Sequence, residues 1–392
     1  MKNQIVLGSF FGDEGKGATV QWLCKEAIEK NEKVIVARFS GGAQCGHRII
    51  HNGIEHICSS FGSGVLLGIP TYLDENVYID PISIRNEGEV LFQKTGKIPT
   101  LYINGNCRVT TPFDIVANRE DKINLLNGSC GEGIYHTFNR YRTSEVFADQ
   151  RNLAYALAFP RFYIEETLKF YKGNIDDTIL TFVIEEFIDS LAWIKSNAKI
   201  VSNDMLLQNF VFSKYDKIIW EGSQGMLLDM DYGFMPHCTP SKTGLNGIRK
   251  EYLNNSQVFF VMRSYLTRHG NGYIPFGEMY VKDLYINLEE PTNRDDGYQG
   301  RFKVGVFDLS MLKALKDRHH LDNFKYHYNL EYNIVMNHLD CIEDTFYYTV
   351  DGWSMNKCNK DDLIDILKVS MKSIMDFNGF YAGYGQDNIK KV

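Results

Sequence analysis

The chain of 392 residues has no C-x-x-C pair among its eight cysteines, no apolar run near the roughly 20 residues of a membrane span, no Ser/Pro-rich linker, no repeat and no low-complexity tract. Each absence excludes a class. Scattered cysteines rule out a zinc ribbon or a disulfide framework and fit a reducing compartment. Only nine prolines and no linker argue against a flexible joint, so residues 1–392 are expected to form a single domain. Positive charge is not in excess: Lys+Arg 42 against Asp+Glu 49 leaves a net charge of -7. A binder of nucleic acid or of an anionic membrane needs the opposite field, so neither is expected as a partner. The apolar stretch before Asp13 is too short for an export signal, which predicts a cytoplasmic location.

What is present is an ordinary globular composition, with 44% apolar, 13% aromatic and 23% charged residues. The pattern along the chain predicts an α/β fold. Ile5-Val6-Leu7 reads as a buried strand, residues 8–17 as a glycine loop, and Val20, Leu23 and Ala27 as the apolar face of a helix. Val34 to Val36 with Phe39 form a second strand, followed by the turn Gly41-Gly42-Ala43-Gln44-Cys45-Gly46-His47. Such alternation favours a large, mainly parallel central sheet, whose ligands gather at the carboxyl ends of the strands. From about 150 to 200 the texture turns to long helical periodicity through Ile164, Leu168, Leu180, Phe187 and Leu191, predicting a helical subdomain inserted into that fold. Further strands are expected at Lys217–Trp220, Val258–Met262, Asn333–Met336 and Phe346–Val350, with a site loop at Glu221–Gly225 and a late helix over Asp361–Met375.

The sharpest motif is Gly12-Asp13-Glu14-Gly15-Lys16-Gly17. Glycines let backbone N–H groups approach a phosphate, the helix that follows favours anions at its N-terminus, and Lys16 adds a charge. The loop is P-loop-like without being a Walker A sequence, because Phe10 stands at the first glycine position and Gly17 replaces the Ser or Thr after the lysine. Taken alone, it also fits an ordinary strand-to-helix turn. His319 and His320 are adjacent and would point about 100° apart on a helix, so they are poor co-ligands and read as packing or surface residues.

Beyond that loop, the sequence resembles the adenylosuccinate synthetases. They share GDEGKG near the N-terminus and a glycine-rich turn ending in Gly-His. Glu221-Gly-Ser-Gln-Gly-Met-Leu-Leu-Asp229 is similar to the family's EGAQG-x-LLD, Cys238-Thr239-Pro240-Ser241 to its V-T-S-S, and Tyr265-Leu-Thr-Arg268-x-Gly-x-Gly272 to its Y-S-T-R-x-G-x-G. Gly300-Arg301-Phe302-Lys303 stands where the family has its basic aspartate-binding loop, and Asn337-His338-Leu339-Asp340 where it reads guanine with N/T-K-x-D. Four further stretches resemble the phage-type branch, the aminodeoxyadenylosuccinate synthetases called PurZ: Phe61–Gly64, Pro70–Tyr72 with Ile79–Pro81, Asp231–His237 and His338–Cys341.

The resemblance implies a ligase that phosphorylates O6 of a 6-oxopurine nucleotide and then displaces the phosphate with the amine of L-aspartate. Asp13 would take the proton from purine N1, and His47 would protonate the transferring phosphoryl group. Gly12, Glu14, Gly15, Lys16 and Gly17 would cradle phosphates, while the Asp13 carboxylate and the Gly46 carbonyl would hold Mg²⁺ through oxygen. Gln224 would meet the O6/N7 edge. Gln44, Ser129, Cys130, Leu228, Thr239 and Gly272 would complete the substrate site, with Cys130 at a family threonine position. Arg301 would clamp a carboxylate of aspartate, and Lys303 replaces a second arginine. Arg142 corresponds to the arginine that family members lend across a homodimer. Asn337, His338 and Asp340 would read the base of the donor, ATP or GTP. The phage-type stretches favour dGMP as acceptor, giving the 2-amino-2'-deoxyadenylosuccinate precursor of 2-aminoadenine DNA in a phage host's cytoplasm. IMP is the other acceptor, because Asp13 stands where that branch tends to carry serine. A catalytically silent nucleotide-binding regulator on the same fold is the third reading.

Overall fold

A computed structural model of the chain describes residues 2–148, 151–171, 177–202, 204–284, 286–287, 298–385 and 388–392. Strands follow in chain order as β1 Lys2–Gly8, β2 Val34–Arg38, β3 His47–His51, β4 Ile54–Cys58, β5 Thr71–Leu73, β6 Leu101–Asn104, β7 Ala198–Val201, β8 Lys217–Gly225 and β9 Gln257–Arg263. They continue with β10 Leu266–His269, β11 Phe302–Gly305, β12 Phe307–Asp308, β13 Glu331–Asn337, β14 Thr345–Thr349, β15 Met355–Asn359, β16 Gly379–Gly383 and β17 Ile389–Lys391. The helices named below are α1 Lys16–Glu29, α2 Pro81–Thr95, α3 Pro112–Glu120, α4 Lys122–Leu126, α5 Ile134–Thr143, α6 Leu153–Ala158, α7 Pro160–Tyr171 and α8 Asp177–Asn197. The chain is α/β with a large, mainly parallel central sheet, as its strand and helix alternation predicts. It divides into two compact units, one of residues 24–125 and 129–220, the other of residues 2–23, 126–128 and 221–392.

In the first unit β2, β5, β6 and β7 pair in parallel, with Val36 opposite Thr71, Leu73 opposite Ile103, and Asn104 opposite Val201. Every residue of β2 is buried, which is why the strand reads as a continuous apolar run and not as an alternation. Helices α6, α7 and α8 occupy the stretch read as helical, of which residues 150 and 172–176 lie outside the described residues. Tyr163, Phe187 and Leu191 from α7 and α8 join Leu73 and Ile103 in the core of this unit. A fully buried ion pair fixes α5 to α3: Arg140 Nη2 and Nε donate to the two oxygens of Asp114 at 2.8 and 2.9 Å. Thr111, the N-cap of α3, and Tyr171 also bond that carboxylate, so the buried charge is fully satisfied.

His56, Cys58 and Glu87 bring three potential ligand atoms within 4.8 Å of one another in this unit. Glu87 is already committed, since its carboxylate accepts the backbone N–H groups of Ser59, Ser60 and Phe61 at 3.2, 2.6 and 3.3 Å and faces His56 Nε2 at 3.2 Å. Lys94 Nζ lies 3.5 Å from His56 Nδ1 and places a cation beside the ring. The cluster is a hydrogen-bonded buttress between α2 and the turn after β4.

In the second unit the strand order is β17, β16, β13, β9, β1, and all pairs but β16–β17 are parallel. Ile5, Val6 and Leu7 are completely buried in β1, and Val20 and Ala27 of α1 are equally so. Two expectations are corrected here. Glu221–Gly225, expected as a loop, continues strand β8, because its side chains are buried and its backbone stays extended; the irregular chain begins only at Met226. His319 and His320 do not share a helix. The helix Leu309–Arg318 ends at His319, and His320 adopts a left-handed conformation at φ 50° before the helix Leu321–Tyr328. His319 is a packing residue as read, buried with its Nε2 donating to the Met226 carbonyl at 2.8 Å.

Candidate active site

In the second unit, β1 ends at Gly8 and the motif residues turn sharply into α1. Glu14 organises the turn. Its buried carboxylate accepts from the N–H of Phe10 at 2.8 Å and of Gly12 at 3.1 Å, and its other oxygen meets Lys16 Nζ at 3.2 Å. The loop thereby supplies its own anion, and Lys16 is held buried at the head of α1, where backbone N–H groups point outward. Asn337, at the end of β13, donates through Nδ2 to the carbonyls of Glu14 and Gly15 at 3.0 and 3.3 Å and locks the loop from behind. The end of β8 closes on the same loop. A side chain at Gly225 would come within 2.1 Å of the Phe10 carbonyl, so only glycine allows the end of β8 to pack on this turn.

Asp13 points away from this closed network. It is the one motif residue forced into the left-handed region without being glycine, at φ 58°, and 39% of its side chain is exposed. Such a conformation costs free energy and persists where the surroundings impose it. Exclusion of water around the loop pushes its carboxyl upward. The hydrogen bond and charge of His269, with the charges of Arg263 and Lys16, outweigh that push and hold it below the ordinary carboxylate value. Asp13 is therefore an anion throughout the neutral range, suited to accept a proton or to face a hard cation. His269 Nε2 lies 3.5 Å from Asp13 Oδ2.

The same unit carries Arg301, Lys303, Thr239, Asp229, His338 and Asp340. Arg301 is exposed and paired with Glu278, and Lys303 Nζ donates to the Gly272 carbonyl at 3.1 Å. Burial, helped by the neighbouring Arg268 and Arg301, lowers the Lys303 ammonium. Thr239 N–H donates to the Leu228 carbonyl at 2.8 Å, which joins the two arms of the 226–246 segment. That segment is built on one buried carboxylate: Asp229 accepts from the N–H of Asp231, Tyr232, Thr243 and Gly244 at 2.9, 3.2, 2.6 and 3.3 Å. His338 is held well below its ordinary value by burial and the charge of Arg263, and Asp340 beyond it is exposed.

The first unit carries the other named residues. Gly42 of the 41–47 turn packs against Ile134 at the start of α5: a Cβ there would lie 2.9 Å from the Ile134 side chain. Both polar atoms of the Gln44 amide are buried without a partner, an arrangement expected of a group that awaits a ligand. Gly46 is exposed, and His47 is buried at the start of β3. Ser129 exchanges hydrogen bonds with the Asn118 amide at 3.0 and 3.1 Å, and burial pushes the neighbouring Cys130 thiol up to about 12. Arg142 is exposed on α5, its guanidinium 5.6 Å from the Phe138 ring.

The 8–17 loop, Gln224, Thr239, Leu228 and the Arg301 loop thus lie in one unit, and Gln44, Gly46, His47, Ser129, Cys130 and Arg142 in the other. The motif reading missed His269, Arg263 and Asp229. His269 is the variable position of Arg268-x-Gly270, and no spacing or composition signal separates it from a surface histidine. Asp229 was visible only as the last letter of a motif.

This chain belongs to the adenylosuccinate synthetase family, whose profile matches residues 5–381. The family's members are carbon–nitrogen ligases driven by a nucleoside triphosphate and are generally Mg²⁺-dependent. Among relatives, the adenylosuccinate synthetase of Buchnera aphidicola is 28% identical over 333 residues, covering 80% of this chain and 74% of its own. That of Psychrobacter arcticus is 25% identical over 334 residues, covering 80% and 73%. Among solved structures, the fully ligated adenylosuccinate synthetase of Plasmodium falciparum superposes with a TM-score of 0.76 at 18% identity over 98% of each chain. The succinoaminodeoxyadenylate synthetase (PurZ) of cyanophage S-2L, bound to dGMP and dATP as an energy donor, superposes with a TM-score of 0.68 at 14% identity, covering 100% of this chain and 95% of that one.

Proposed function

We propose that this ligase joins L-aspartate to C6 of a purine nucleotide after phosphorylating O6, with dGMP as the favoured acceptor. The observation that carries the reading is Asp13, an anionic carboxylate in a strained conformation at the mouth of a self-contained phosphate loop. Asp13 takes the N1 proton, His47 serves as the acid at the phosphoryl group, and Lys16 with the loop N–H groups stabilises phosphate oxygens. Gln224, Gln44, Ser129, Cys130, Leu228, Thr239 and Gly272 hold the acceptor nucleotide, and Arg301 with Lys303 holds a carboxylate of aspartate. The Asp13 carboxylate, an exposed hard oxygen donor, suits Mg²⁺, and the family resemblance would add the Gly46 carbonyl. The ion would neutralise phosphate charge. Arg142, exposed on α5 beside Phe138, is the arginine lent to the partner of a homodimer.

Support for dGMP comes from the phage-type stretches and from the likeness to the cyanophage enzyme, whose structure holds dGMP and dATP. Asp13 is compatible with it, because an anionic carboxylate accepts both from guanine N1–H and from the 2-amino group. IMP is the second reading, favoured by the retention of aspartate at position 13 and by relatives named adenylosuccinate synthetase. A matrix of dGMP, GMP, IMP and dIMP against ATP and GTP, with Mg²⁺ and L-aspartate, read by phosphate release and purine absorbance, separates them. Turnover confined to dGMP supports the favoured acceptor; turnover with IMP and little with dGMP replaces it. Sedimentation checks the dimer, since a fully active monomer would remove any role for Arg142 in trans.

A further inference from the structure

We propose that His269 is a positioning residue that couples the Asp13 carboxylate to the loop carrying Arg301 and Lys303, so that the base and the aspartate clamp are set by one ring. The inference rests on the proposed function for its catalytic meaning, and on geometry for the link itself. One ring nitrogen, Nε2, lies 3.5 Å from Asp13 Oδ2, and the other, Nδ1, lies 3.4 Å from the Gly300 carbonyl. Gln299 Nε2 stands 3.5 Å from the same Nε2, and the face of the ring packs on Phe302 at 5.0 Å between centroids. The Nδ1 edge and the ring face thus meet the aspartate loop, and the Nε2 edge stands between that loop's Gln299 and the Asp13 carboxylate.

The loop is fastened to His269 by its backbone as well. His269 pairs with Phe302 in the antiparallel β10–β11 ladder, and the next N–H, that of Gly270, donates to the Arg301 carbonyl at 3.0 Å. Gly270 and Gly300 both take positive φ, 70° and 80°, and a Cβ on Gly300 would stand 3.1 Å from Gly270 Cα. Two glycines facing each other let the loop dock directly on the residue that bears the imidazole. A shift of the loop that seats aspartate is therefore transmitted through the ring to the carboxylate that must meet purine N1. An ångström of misplacement in such a group costs on the order of a hundredfold in rate.

The test exploits the two nitrogens separately. In the full chain, His269→Gln places an amide N–H near the Nε2 position and keeps the contact to Asp13, whereas His269→Asn places one near Nδ1 and keeps the contact to Gly300. His269→Val removes both. We expect H269V to lower kcat by roughly tenfold to a hundredfold and to raise the aspartate KM together. H269Q should restore kcat while the aspartate KM stays raised, and H269N should restore the aspartate KM while kcat stays low. A parent-like H269V, or amide variants that restore neither parameter while melting as the parent does, overturns the proposal. A double cycle of Asp13→Ala with H269V, each of which removes the contact, in thermal unfolding is independent of activity. Coupled sites lose less Tm together than the sum of the single losses, whereas additive losses overturn the link even if turnover establishes the ligase. Arg301→Gln is the control on the functional reading: an unchanged aspartate KM there sinks the clamp assignment and leaves the measured His269–Asp13 coupling standing.

Discussion

The two glycine-rich turns of this chain solve opposite problems. The 8–17 turn is closed on itself: Glu14 caps its N–H groups and pairs with Lys16, and Asn337 ties its carbonyls. The 41–47 turn leaves the Gln44 amide buried without a partner at either atom. A loop that must present dipoles and a cation to a phosphate gains from being rigid before the ligand arrives, because no reorganisation is then needed during the reaction. A loop that selects a substrate holds unsatisfied groups whose cost is recovered only when the right partner binds. The comparison predicts that the first turn fails by unfolding and the second by losing affinity.

Glu14→Ala should break the first side of the comparison most severely. It leaves Lys16 buried and unpaired and uncaps two N–H groups, so a loss of about 3–5 kcal/mol in urea unfolding is expected, together with loss of turnover. A variant that unfolds like the parent would show that the loop does not depend on its internal anion. Gln44→Leu should do the reverse. Replacing an unsatisfied buried amide by an apolar side chain of similar size leaves the unfolding midpoint unchanged or raised, while kcat/KM for the acceptor falls roughly tenfold to a hundredfold. A loss of stability with parent activity would reverse the assignment. Asn337→Ala, measured in the same way, should cost about 1–2 kcal/mol and raise the KM of the triphosphate donor, since it loosens the phosphate turn without removing its anion.

The two turns also differ in how far the sequence exposes them. The strand, glycine loop and helix of residues 5–29 are legible because burial of a whole strand and one helical face leaves periodic apolar residues, and sharp turns require glycine. Burial misled the reading at Glu221–Gly225, where a polar, glycine-bearing segment that suggests a loop is an extended strand whose side chains are covered by tertiary contacts. The functional motif names Glu14 and Asn337 but not their tasks. The fold adds what the motif does not show, that Glu14 and Asn337 both brace the loop from within the protein. His269 was silent because its meaning lies in contacts to residues 13 and 299–302, hundreds of positions or tens of positions away, which no local pattern records.

The smallest effect separates the carboxylate of the first turn from three buried or half-buried histidines, one in the first unit and two in the second. His136, His319 and His338 are all held below their ordinary values, in each case chiefly by burial. The unfolded chain therefore binds more protons than the folded one as soon as pH falls below about 6.5, the ordinary value of a histidine. Their contribution is fully present above that pH and is lost as pH falls toward the folded values, with a slope approaching about 1.4 kcal/mol per pH unit for each histidine in that window. Asp13 follows the same sign but in a lower window, since its carboxyl is held below 3.8 and its share is lost only as pH falls from there. Urea midpoints measured between pH 7.5 and 5 should decline as these histidines gain protons on unfolding. His338→Gln should flatten that decline by about 1 kcal/mol at pH 5.5, because an amide in its place has no proton to gain on unfolding. A decline of the same steepness in the variant would mean that the Arg263 charge and the surrounding burial do not keep His338 neutral, and that the acid sensitivity of the chain lies with other groups, His136 and His319 among them.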